Sequence, residues 1–138
     1  MLQKLLAPQA ERAYALLRIV TGLLFVNIGA AKVFGVASSM PAFPLGTQMG
    51  IGGLIELVGG LALVLGFWTS CAAFVLSGTM AVAYAQFHWK FAMDKGFFPS
   101  VNGGYAAAVS CFLFLYMACK GSGPWSLDAR RKKAAGVS

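Results

Sequence analysis

Six polar residues lie inside otherwise apolar stretches of this chain: Arg18, Asn27, Lys32, Glu56, His88 and Asn102. An ionisable group in hydrocarbon costs at least about 2.5 kcal/mol unless it is paired or hydrated, so each marks a structural tie or a functional site. Lys32, Glu56, His88 and Asn102 belong to four different stretches, yet counting at about 1.5 Å per residue puts them at one depth. Two readings follow. In the first, Lys32 and Glu56 form an ion pair that ties two helices together, and His88 caps a third. In the second, the four residues line a polar pocket that holds a ligand head group or relays protons. Under that reading Glu56→Gln impairs function while the protein still assembles.

Tyr84 and Tyr105 extend the candidate set. Near His88 their hydroxyls would hydrogen-bond a quinone-like carbonyl, with Phe87, Phe97 and Phe98 covering its ring; ordinary bundle packing is the alternative for both. Other chemistry lacks the residues it needs. Cys71, Cys111 and Cys119 form no C-x-x-C pair, and Cys111 and Cys119, eight residues apart on one helix, are too far apart to bridge. A single histidine excludes bis-histidine haem ligation, and three cysteines cannot hold an iron–sulfur cluster unaided. No G-x-G-x-x-G or P-loop occurs. His88 and Met93 offer two ligands for copper, too few to define a metal site. The sequence therefore predicts no intrinsic cofactor, with quinone as the candidate ligand.

The elements that position these residues follow from composition. The chain has 138 residues, of which 59% are hydrophobic and only 11% charged. Soluble domains carry about 25% charged residues, so this is a membrane composition and a single domain. Apolar runs at about residues 13–34, 49–68, 71–88 and 103–119 predict an all-α, antiparallel four-helix bundle in the membrane, followed by a basic tail at 120–138. A secretory signal peptide is the competing account of the first run, which is longer than a typical signal core. Pro41, Pro44 and Gly46 break the chain between the first two helices, and residues 66–70 form a tight turn between the second and third. Trp68, Trp89 and Trp125 fall at the predicted interfaces.

Helical periodicity assigns faces. Arg18, Thr21, Gly22, Phe25, Gly29 and Lys32 share one stripe, whose small and charged residues should face protein. Gly52, Gly53, Gly59 and Gly60 surround Glu56 and should admit a neighbouring helix. Ser77, Ala81, Tyr84 and His88 form a stripe on the third helix. Asn27 has no evident partner. The net charge of +7 comes from Lys and Arg at the ends of the runs. Placing both termini inside puts Lys4, Arg12, Arg18, Lys120, Arg130, Arg131, Lys132 and Lys133 on the cytoplasmic side, eight against Lys32, Lys90 and Lys95 outside. The basic tail then meets anionic lipid, not nucleic acid.

Several segments resemble the DoxX-like family of four-span bacterial membrane proteins. They are Leu16-Leu17-Arg18-Ile19-Val20-Thr21-Gly22, Gly29-Ala30-Ala31-Lys32-Val33-Phe34-Gly35, Gly53-Leu54-Ile55-Glu56-Leu57-Val58-Gly59-Gly60 and Gly78-Thr79-Met80-Ala81-Val82-Ala83-Tyr84. Further matches are His88 with Gly96-Phe97-Phe98-Pro99, Asn102-Gly103-Gly104, Phe114-Leu115-Tyr116 and Gly123-Pro124-Trp125-Ser126-Leu127-Asp128. The resemblance covers most of the chain, from Leu16 to Asp128. Where the family pattern often has Glu after Asn102-Gly103-Gly104, this chain has Tyr105, so Glu56 is left as the only acid well inside a span. The resemblance implies an inner-membrane protein linked to respiratory or oxidative-stress redox systems, similar to subunits of thiosulfate:quinone oxidoreductase. It implies a small subunit or accessory factor with a protein partner, and no settled reaction. The alternative is a non-catalytic assembly subunit packed within a larger membrane complex.

Overall fold

A computed structural model describes residues 1–39 and 41–136. The final two positions of the predicted basic tail lie outside the described residues. The architecture is all-α, built on four long helices. A short lead-in, α1 (Leu2–Leu6), passes through a tight turn at Ala7–Gln9 into α2 (Ala10–Phe34). Pro8 falls in the first turn after α1, where a missing N–H is tolerated, so the rod begins well before the apolar run at residue 13. Then come α3 (Gln48–Leu65) and α4 (Thr69–Ala83), which continues through a widened turn at Tyr84–Trp89. A loop containing the short α5 (Pro99–Asn102) leads to α6 (Tyr105–Lys120), and α7 (Leu127–Ala134) carries the basic residues.

Local chemistry sets the boundaries. Gly35 and Gly66 take left-handed conformations (φ 67° and 65°) that close α2 and α3. Thr47 caps α3, its hydroxyl accepting from Gly50 N at 3.1 Å, and Ser126 caps α7 by accepting from Ala129 N at 3.1 Å. The start of α4 is capped from a distance, since the Asp128 carboxylate accepts from the amides of Trp68 and Thr69.

Close contacts fix the directions. A methyl on Gly22 would lie 2.8 Å from the Gly60 carbonyl oxygen, and one on Gly29 would lie 2.6 Å from that of Gly53. As the number rises on α2 it falls on α3, so the two run antiparallel with their backbones nearly touching. Ser77 donates to the Cys111 carbonyl at 2.8 Å, and Gly104 abuts the Tyr84 ring, so α4 and α6 are antiparallel as well. The core between the pairs is formed by Phe25, Leu63, Leu76, Met80, Phe114 and Met117, with the Phe25 and Phe114 rings edge to face at 4.6 Å.

Among the described residues, three helical stretches are long and apolar enough to cross a membrane: Leu2–Phe34, Gln48–Leu65 and Thr69–Trp89. The fourth predicted span is α6, apolar but 16 residues long, about 24 Å at 1.5 Å per residue. The outward-facing surface is strongly apolar along the rods, with Leu16, Val20, Leu23 and Leu24 on α2 and Phe112 and Tyr116 on α6 exposed.

Candidate functional site

The predicted stripe of α2 faces protein: Arg18, Thr21, Gly22, Phe25 and Gly29 are buried. Lys32 ends that stripe. Its stem passes over Gly53, where an added methyl would sit 2.6 Å from Lys32 Cβ, and this close pass delivers the ammonium to Glu56 one turn further along α3. Lys32 Nζ donates to Glu56 Oε1 at 2.7 Å. Glu56 is only 3% exposed, and its second oxygen, Oε2, is buried with no hydrogen-bond partner among the described residues.

The ion pair borders a cavity of about 500 Å³ between α3 and α4, lined also by Gln48, Ile55, Thr79, Val82, Phe87 and His88. Lys32, Glu56 and His88 thus meet at one place. Gln48, which periodicity did not single out, donates through its side-chain amide to Gln86 at the same end of the bundle. Two wall positions were assigned the wrong role or none. Gly52 was expected to admit a neighbouring helix with Gly53, Gly59 and Gly60. Gly53 and Gly60 do meet α2 and Gly59 meets Leu76, but a methyl on Gly52 would contact nothing within 4 Å. The same holds for Gly78 across the cavity on α4. These two glycines create space rather than helix contact.

The stripe predicted on α4 is divided. Ser77 and Tyr84 face α6, whereas Ala81 is exposed. Beyond Ala83 the helix widens over Tyr84–Trp89, where Lys90 N reaches back five residues to Ala85 O at 2.8 Å. One additional residue per turn shifts the register, and His88 falls at the cavity rather than directly above Tyr84.

Tyr84 and Asn102 stand behind His88 rather than on the cavity wall. Tyr84 donates to the Phe97 carbonyl at 2.7 Å and accepts from Asn102 Nδ2 at 3.3 Å. Asn102 also donates to Gly96 O at 2.8 Å and accepts from Gly104 N at 2.7 Å. Its own carbonyl lies 3.2 Å from His88 Nδ1, and the Tyr84 and His88 rings are stacked with centroids 6.4 Å apart. This network secures the loop between α4 and α6 and orients the imidazole. Tyr105 does not join it. As the first residue of α6 after left-handed Gly103 (φ 71°), it points outward, 60% exposed, into a shallow groove with Pro99, Val109 and Phe112. Phe97 and Phe98 are likewise exposed and pack on each other, leaving Phe87 as the member of that aromatic trio on the wall.

The other end of the bundle holds a polar centre of a different kind. Arg18 is fully buried and donates to four backbone carbonyls: Leu63 at 3.0 Å, Trp125 at 2.8 Å, Pro124 at 3.2 Å, and Ser122. Tyr14 donates to the Gly121 carbonyl beside it. Sequence reasoning flagged Arg18 but gave it no partner, because its partners are carbonyls, which every residue carries. The one available signal was the run Gly121-Ser122-Gly123-Pro124, whose non-helical backbone leaves carbonyls without helical donors. Asn27 is exposed on the outward side of α2.

Apolar rods with ionisable groups turned inward define an all-α membrane protein with an ionic cavity between α3 and α4 and an internal arginine brace. The DoxX family model matches residues 13–89, more than half of the chain. A protein of Haemophilus influenzae described as uncharacterized is 41% identical over 119 residues, covering 83% of this chain and 87% of that one. The chain belongs to the DoxX family. No solved structure matches it. Among the described residues, no group of three or more His, Cys, Asp or Glu could hold a metal ion.

Proposed function

We propose that the chain is a small redox-linked membrane subunit or accessory factor whose α3–α4 cavity holds the head group of a quinone-type ligand. The observation that carries this reading is Glu56 Oε2, a buried carboxylate oxygen without a partner among the described residues, on a side chain that lines a cavity of about 500 Å³. A buried polar atom left unpaired costs about 1–3 kcal/mol, more when charged, and a pure helix tie would have no reason to retain it. The wall is otherwise largely apolar, which suits a ring, and Lys32 and His88 supply the few polar groups that orient it. Among the described residues no group of three or more His, Cys, Asp or Glu accompanies it, and in this reading the redox chemistry is shared with a partner protein.

The charge pattern supports the bacterial inner membrane with both termini cytoplasmic. Lys120 pairs with Glu11, and Asp128 of the basic α7 caps α4, so these contacts gather both ends of the chain at the Arg18 end. The cavity then opens near the periplasmic face. The test is to extract the protein gently from bacterial membranes and analyse the lipid-soluble molecules that copurify. A quinone retained by the wild type and lost in His88→Ala is the expected result; protein empty in both contradicts it.

A second reading, a non-catalytic assembly subunit, is favoured by a different surface. A groove of about 410 Å³ between α3 and α4, lined by residues such as Leu54, Val58, Ala62 and Val75, is almost wholly apolar and fits a partner's helix. Consistent copurification of another membrane chain with ligand-free protein would select it.

A further inference from the structure

We infer that the occupant of the Glu56 cavity binds as a hydrogen-bond donor: a reduced, hydroxyl-bearing ring of hydroquinone type whose O–H is accepted by Glu56 Oε2. This rests on the ligand reading above and adds the polarity and redox form of what is held. The argument is a donor and acceptor account of the polar side chains on the wall. Thr79 Oγ1 donates back to Val75 O at 2.9 Å, Gln48 donates to Gln86, and Lys32 Nζ gives one of its three N–H to Glu56 Oε1, keeping N–H that the oxygen of a ligand hydroxyl can accept while its hydrogen goes to Glu56. Glu56, as the carboxylate of an ion pair, has lone pairs and no proton to give. Its Oε2 has no partner among the described residues.

His88 points the same way. The atom facing its Nδ1, 3.2 Å distant, is the Asn102 carbonyl oxygen, which can only accept. Nδ1 therefore carries the proton, and in the neutral ring Nε2 is left as an acceptor. Tyr84, stacked on the imidazole and tied to Asn102, helps hold this orientation. Glu56 and His88, both residues of the cavity wall, thus each carry an acceptor atom. A quinone, whose ring oxygens only accept, could take an N–H from Lys32 but would set lone pair against lone pair at Glu56 Oε2. A hydroquinone has two O–H groups to give. Gly52 and Gly78, where a side chain would meet open space, leave room for the ring between α3 and α4.

The test is calorimetric titration of the protein in lipid nanodiscs, without oxygen, using three probes: a decyl-substituted benzohydroquinone, the matching benzoquinone, and the hydroquinone dimethyl ether. The expected result is hydroquinone binding at least about tenfold tighter than either other probe. In Glu56→Gln, whose amide can also donate to a quinone carbonyl, the preference should shrink to within about threefold. Quinone or ether binding the wild type as tightly as hydroquinone overturns the inference but leaves the ligand reading standing. Saturable binding of none of the three overturns the ligand reading itself. Should Glu56→Gln fail to fold, the three-probe comparison on the wild type still decides.

Discussion

The two buried ionic centres of this protein occupy opposite ends of one bundle and solve the same problem differently. Arg18 brings a guanidinium into an apolar interior and finds carbonyls from α3 and from the loop before α7 around it. Its donors are satisfied, and the result is a brace joining the first helix to the end of the chain. Glu56, on the wall of a cavity, brings in a carboxylate, satisfies one oxygen with Lys32, and leaves the other buried without a partner among the described residues. Burial alone therefore does not distinguish structure from function here. What separates the centres is whether the hydrogen-bonding capacity is used up.

The sharpest way to break this contrast is at Arg18. Arg18→Met should destabilise the protein by about 3–5 kcal/mol, because it strands several interior carbonyls, and the folded, non-aggregated species in detergent should largely disappear on size exclusion. Arg18→Lys should restore little, since an ammonium lacks the planar fork that reaches carbonyls on two sides. Wild-type thermal stability in either variant would mean that the loop is held by something else.

The ion pair should respond asymmetrically. Lys32→Met leaves a carboxylate that is 3% exposed without its partner and should cost about 2–3 kcal/mol. Glu56→Gln leaves a lysine side chain that is 23% exposed and can turn toward water or head groups, so about 1 kcal/mol is expected, together with loss of function. Thermal unfolding of both variants in one detergent checks the order. Equal losses would indicate a simple tie rather than a site.

The smallest stability effect should come from the open glycines. Gly78→Ala places a methyl in empty space and gains helix propensity, so a change of about 0.4–1 kcal/mol toward greater stability is expected by thermal melt. Gly29→Ala is the control. There the methyl would meet the α3 backbone, and the same substitution should destabilise.

How much of this was legible in sequence depends on which atoms make the contacts. Lys32, Glu56 and His88 could be placed together because side-chain identity and helical depth were sufficient. The inward stripe of α2 was legible for the same reason. Gly52 was misread because periodicity groups it with Gly53, although 100° of helical rotation turns one to α2 and the other to the cavity. The register of His88 depended on a widened turn at Tyr84–Trp89 that no residue type announces. Tyr105 is placed in the pocket by expected nearness to His88, but left-handed Gly103 precedes a new helix that sends it outward. Arg18 kept its partners hidden because they are main-chain carbonyls.

The central claim, that the incomplete centre is a ligand site, is tested most directly by native mass spectrometry of wild type and Gly78→Leu released from bacterial membranes. The account predicts a small-molecule adduct on the wild type that is absent from the equally stable, cavity-filled variant. Wild-type protein without an adduct, or the same adduct on both, would contradict it.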